Sequence, residues 1–176
     1  AAAPNEGSLL DKLTDDPAFA KQVKKEDVQK VAMMDFLTLQ GDRNAGNLLI
    51  QDVNGEKRMV PIDGGFAFPS KELFGMASSG MAGQPMDVNA PPPTNDQERT
   101  KAKGNFEGKN ALMLLPQSEE KFSEEMLKSI DALDPNELVK GLKKSNAEIA
   151  AAAPEVDGLV GDENIENVRR SALFLK

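Results

Sequence analysis

Apolar residues recur at helical spacing in several stretches of this chain. Across 26–40, Val28, Val31, Ala32, Met34, Phe36 and Leu37 fall mostly on one face, which predicts a core helix ending at Gly41. A shorter helical pattern over 9–24 is broken at Asp16-Pro17, where Asp can cap and Pro can occupy the first helical position. Further helices are expected at Ser118–Ala132, carrying Phe122, Met126, Leu127 and Ile130, and after Asp134-Pro135-Asn136-Glu137, a capping signal followed by Leu138, Val139, Leu142, Ile149 and Ala152. A last amphipathic segment spans 162–176, with Ile165, Val168, Leu173 and Phe174.

Two short apolar runs interrupt this helical pattern. Leu48 to Gln51 and Arg58 to Ile62 flank Asp52-Val53-Asn54-Gly55-Glu56-Lys57. Asn-Gly between apolar runs predicts a hairpin, because both residues tolerate positive φ. Pro61 lacks an N–H, so its strand is expected at an edge. The fold class read from these patterns is mainly α with a small β-hairpin.

The hairpin makes its flanks interesting. It brings Asn47, at the start of one strand, near Asp63, at the end of the other. Two oxygen donors converging at one mouth suit a hard cation such as magnesium. Gly64-Gly65 is expected to let the chain turn sharply after Asp63. Upstream lies Asp42, in Gly41-Asp42-Arg43-Asn44-Ala45-Gly46-Asn47. Phosphoryl transfer needs one carboxylate to meet the attacking hydroxyl, and an Asn and a second carboxylate to hold the metal on the phosphates. Each half alone is also an ordinary polar turn, since Asx and Gly favour loops. Their order, with a hairpin between, favours the chemical reading.

Residues 70–108 change character. Glycines and prolines, among them Gly75, Gly80, Gly83 and Pro91-Pro92-Pro93, interrupt any period, and a long mobile loop is expected, with its most mobile part at 75–105. Arg99, Lys101 and Lys103 read as solvated surface, the alternative being contacts to an anionic substrate.

Composition narrows the chemistry. The 176 residues are 39% apolar and carry a net charge of -8, with mean hydropathy -0.45. Without Cys or His, thiolate zinc sites, disulfides and histidine-dependent catalysis are excluded. The absence of Trp and Tyr and the acidic balance make nucleic acid an unlikely partner. No apolar run is long enough for a transmembrane segment, and the first residues show no leader pattern. A soluble, cytoplasmic protein is expected, with secretion into a host cell as an effector as the alternative.

The motif resembles the catalytic and metal-binding loops of the phosphatidylinositol 3-/4-kinase superfamily, which read Asp-Arg-x-x-x-Asn, a hairpin, then Ile-Asp-x-Gly. Asp42-Arg43 through Asn47 and Ile62-Asp63-Gly64-Gly65 stand in those places, and Phe66-Ala67-Phe68-Pro69 extends the likeness toward the type II 4-kinases. It covers residues 26–69. The chain departs from the pattern at Asn44, where many lipid 3-kinases carry His. The resemblance implies a kinase-like C-terminal lobe over 1–176, with a catalytic and metal-binding core at 26–69, an activation-type loop at 70–108 and a helical part at 109–176. It implies Asp42 and Arg43 as catalytic residues, with Arg43 ordering the loop. Asn47 and Asp63 become ligands of Mg2+ (or Mn2+) and of ATP, and the acceptor is a hydroxyl on a lipid head group or a protein. Only about 25 residues precede the helix, with no β-rich run, so the expectation is a lobe lacking its nucleotide-covering partner and inactive alone. A non-catalytic interaction module binding a host or partner protein is the alternative, and a bacterial protein kinase of the HipA type a third.

Overall fold

The computed structural model describes residues 5–64, 67–68, 86–156 and 160–176. The protein is mainly helical, with a small three-stranded antiparallel sheet. The strands are β1 (Asn5–Ser8), β2 (Leu48–Val53) and β3 (Glu56–Pro61), ordered β1-β2-β3. The expected hairpin is therefore part of a larger sheet, because β1 covers the outer edge of β2. This strand lies among the first 25 residues, where no β segment was expected.

The hairpin turns at Asn54 (φ 56°) and Gly55 (φ 84°), the paired positive φ that Asn-Gly tolerates. Its register runs from Val53↔Glu56 to Leu48↔Pro61. Pro61 sits on edge strand β3, as expected.

Helix α1 (Leu9–Asp15) is capped by Ser8, and a 3-10 turn (Pro17–Gln22) is capped by Asp16. Helix α2 (Lys25–Thr38) is the predicted core helix. It stops at Leu39, left-handed at φ 53°, rather than at Gly41. Its buried face is also more polar than the periodicity suggested. Val28 and Val31 are buried, but so are Asp27, Gln29 and Asp35, whereas Met34 and Phe36 are exposed.

Those polar residues tie α2 to its surroundings. Asp27 accepts from Arg58 Nε and Nη2, at 2.8 Å each, and from the Met59 N–H at 3.0 Å. A carboxylate on α2 thus covers the open edge of β3, which would otherwise present an unpaired donor. Gln29 donates to the Lys121 carbonyl and accepts from the Ser123 N–H. Gln117 donates to the Ala20 and Val23 carbonyls at 2.8 and 2.7 Å. Side-chain amides therefore anchor the C-terminal half to the N-terminal half.

The 70–108 stretch departs from expectation. Residues 69–85 lie outside the described residues. Beyond them, Asp96–Gly104 forms helix α3, capped by Asn95. Glu98 accepts from the Thr94 N–H and hydroxyl, completing the N-terminal cap. The run 86–108 is thus partly helical, not one long loop. Short helix α4 (Ala111–Leu114) buries Ala111, Leu112 and Leu114.

Helix α5 (Glu124–Asp131) begins at the Ser123 cap, later than predicted, with Met126 and Ile130 inward. Helices α6 (Pro135–Ala152) and α7 (Asp162–Leu175) match the two expected C-terminal segments. Asp134 caps α6 by accepting from the Asn136 and Glu137 N–H groups. The main core gathers Leu9, Leu13, Val28, Leu48, Ile50, Leu114 and Leu115 between the sheet and the helices.

Candidate functional site

The candidate site is built around Arg43, which is only 2% exposed. Its Nε and Nη2 donate to the two carboxylate oxygens of Asp35, at 2.9 and 2.8 Å. Its Nη1 donates to the Asn47 carbonyl at 3.2 Å and the Ile62 carbonyl at 3.1 Å. One planar, always-charged group thereby joins the end of α2, the end of the Asp42 loop and the residue before Asp63. The enclosed Arg43 guanidinium thus holds these segments together. Burial pushes the Asp35 carboxyl above its ordinary value, against the pull of Arg43.

The hairpin joins the same two ends from the other side. The Ile62 N–H donates to the Asn47 carbonyl at 2.9 Å, extending the ladder one step past Leu48↔Pro61. Asn47 and Asp63 are thus brought to one end of the hairpin, with Asp63 one residue beyond that bond. Gln40, itself buried, connects the site once more. Its oxygen accepts from the Asp42 N–H at 3.3 Å and its amide donates to the Asp63 carbonyl at 3.4 Å.

Asn44, the departure from the family pattern, organises the loop in two directions. Its oxygen accepts from the Gly46 and Asn47 N–H groups, at 2.9 and 3.2 Å. Its amide donates to Asp42 Oδ1 at 2.9 Å, which orients that carboxylate. Asp42, Asn44, Ala45, Phe106 and Glu107 then line a cavity of about 260 Å³. The Asn47 amide nitrogen donates to the Asp42 carbonyl at 3.2 Å. That leaves the Asn47 oxygen as the atom of the group suited to a hard cation.

Strained backbone surrounds the site. Among the described residues, non-glycine positive φ occurs at Leu39 (53°), Asp63 (50°) and Phe68 (56°), besides Asn54 in the hairpin turn. Each such residue costs on the order of 1–2 kcal/mol. Beyond Asp63, the Ala67 N–H donates to the Gly64 carbonyl at 2.8 Å. Gly64 keeps a φ outside the left-handed region, and Gly65 lies outside the described residues. Phe68 is fastened on two sides: its N–H donates to the Thr38 carbonyl at 2.7 Å, and its carbonyl accepts from Asn164 of α7 at 2.8 Å. The Ala111 N–H donates to the Arg43 carbonyl at 2.7 Å, tying α4 to the loop.

The sequence-predicted residues Asp42, Arg43, Asn47 and Asp63 therefore occupy one locality. Asp35, Gln40 and Asn44, which hold them there, carried no local signal of that role. Among the described residues, no three His, Cys, Asp or Glu side chains gather as a metal-binding group. A cation here would take Asn47 and Asp63 and complete its shell with phosphate and water oxygens, as Mg2+ commonly does. Of the basic run, Arg99 is paired with Asp15.

No helix of the described residues is long and apolar enough to cross a membrane. No family model matches the sequence, and no solved structure matches it. Over 47 residues the chain is 40% identical to phosphatidylinositol 4-kinase gamma 4 of Oryza sativa subsp. japonica. That match spans 26% of this chain and 8% of the rice protein's length. It is a weak, local likeness that hints at a phosphatidylinositol kinase-like relationship.

Proposed function

We propose that this chain carries the catalytic loop and metal-binding segment of a phosphotransferase that moves the γ-phosphate of ATP to an alcohol, in the manner of phosphatidylinositol kinases. The observation that carries the reading is the shared anchoring of the two motif halves. Arg43 bonds the Asn47 and Ile62 carbonyls, and Gln40 bonds the backbones of Asp42 and Asp63. Phosphoryl transfer relies on positioning and charge stabilisation more than on covalent work by the protein, so a rigid frame of this kind is what the reaction requires. The local likeness to a 4-kinase and the strained backbone at Asp63 support the same reading. Asp42, oriented by Asn44 at the mouth of a cavity, receives or orients the acceptor hydroxyl. Asn47 and Asp63 hold the metal, which neutralises charge on the phosphates when bound.

The test is transfer of labelled γ-phosphate from ATP, with Mg2+ or Mn2+, by the protein that contains this chain. Phosphatidylinositol vesicles and protein acceptors are assayed separately. Asp42→Ala and Asp63→Ala should each lower the rate by about 100-fold or more. An active protein indifferent to both substitutions removes the reading.

One observation favours a second reading, a non-catalytic interaction module. Helix α6 runs 18 residues with no fully buried residue: Leu138, Val139 and Leu142 are half-buried and Ile149 is exposed. A partner protein seated on that helix would survive both Asp substitutions.

A further inference from the structure

A second cleft lies beside the Asp42 cavity and is much larger, at about 930 Å³. The two share one lining residue, Phe106. The size falls in the range of small-molecule sites, roughly 300–1,000 Å³. Buried Phe106 and Leu114 and partly buried Met86 supply its apolar surface. Pro91, Pro92 and Pro93 form another part of the lining. Three successive prolines offer no N–H, so this segment cannot donate to a ligand.

Polar recognition falls to side chains from α3 onward. Lys101, Asn105 and Lys109 line the cleft, and among the described residues none of the three side chains has a hydrogen-bond or ion-pair partner. The carboxylates of the same cleft are engaged. Glu98 is taken by Thr94, and Asp87 Oδ1 accepts from the Asn89 N–H at 2.9 Å. The two carboxylates keep their charge but have their acceptor atoms occupied by neutral donors, whereas the Lys101 and Lys109 ammonium groups are left to meet an anion at the edge of the apolar cleft.

We propose that this cleft binds a monomeric anionic amphiphile, with its phosphate or carboxylate at Lys101 and Lys109 and its alkyl body against Phe106, Leu114 and the proline segment. The proposal rests on the cleft alone and not on phosphoryl transfer at Asp42.

The probe is decyl phosphate below its micelle concentration, followed by calorimetry and by amide chemical shifts. It should bind saturably and move resonances of residues 86–114. Removing four methylenes, from decyl to hexyl phosphate, should weaken binding by about two orders of magnitude, at roughly fourfold per buried methylene. Decyltrimethylammonium should bind at least 10-fold more weakly than decyl phosphate. The exposed pair Lys101→Glu/Lys109→Glu should weaken decyl phosphate at least 10-fold with an unchanged melting temperature. Ala102→Phe, which fills the cleft, should weaken it independently of charge. Asp42→Ala should leave it unchanged, which separates this site from the catalytic reading. Absence of saturable binding, equal binding of the cationic probe, or indifference to both sets of cleft variants overturns the proposal.

Discussion

Replacing Arg43 by Met should nearly unfold the protein, and the loss should depend on pH. Methionine keeps much of the side-chain bulk, so the change is chiefly one of charge and hydrogen bonding. Asp35 loses both of its Arg43 bonds and is left as a buried carboxylate. Removing one partner of a buried pair costs about 3–5 kcal/mol. The Asn47 carbonyl keeps the Ile62 N–H, while the Ile62 carbonyl is stripped of the Arg43 donor. An unsatisfied buried acceptor adds about 1–3 kcal/mol, less where water reaches it. A total of about 4–8 kcal/mol is a large fraction of the roughly 5–15 kcal/mol typical of a domain. Asp35, already raised by burial, would rise further once its partner is gone. A folded-state carboxyl raised above its unfolded value binds its proton more readily in the native state. The variant should therefore gain stability as pH falls from 7 toward 5, by up to about 1.4 kcal/mol per unit. Since the chain has no Trp or Tyr, urea unfolding should be followed by far-ultraviolet circular dichroism. Adding Asp35→Leu to Arg43→Met should recover about half of the loss or more, because it removes the stranded charge. A single variant within about 1 kcal/mol of the parent, or a loss that does not change with pH, would refute this account of Arg43.

Other outcomes follow from the same contacts. Gly46→Ala would place a Cβ 3.1 Å from Asn44 Oδ1, an atom already fixed by two N–H donors. It should destabilise by about 1 kcal/mol in urea titrations and lower any phosphotransfer rate more than stability alone explains. Asp27 is buried, which pushes its carboxyl up, yet the Arg58 guanidinium and the Met59 N–H hold it below the ordinary value of 3.8. Its stabilising contribution is full above about pH 4 and is lost as pH falls through the lower folded value. Asp27→Asn should flatten the acid limb of the stability curve below pH 4. Ile50→Val, in a fully buried strand position, should cost about 0.5–1.5 kcal/mol in urea titrations.

What the sequence determined by itself was local. Asn54-Gly55 specified the hairpin because the turn's two positive φ values suit those residues and few others. Asp16-Pro17 and Asp134-Pro135 specified two helix starts because capping involves only neighbouring backbone. The convergence of Asn47 and Asp63 followed from the hairpin, since its register is set by a two-residue turn. Helix α3 was legible too, through Thr94, Asn95 and Glu98, but the surrounding glycines and prolines obscured it. Tertiary structure decided the rest. Strand β1 has little alternating pattern and exists because β2 offers it an edge from more than 40 residues away. Leu39 ends α2 in place of Gly41 at a bend that sets Gln40 between Asp42 and Asp63. Asp27, Gln29 and Asp35 carried no sequence signal of burial and were buried because each met donors or acceptors from other segments. A polar group enters a core only when its partners are already in place, and their positions are fixed by the folded chain as a whole.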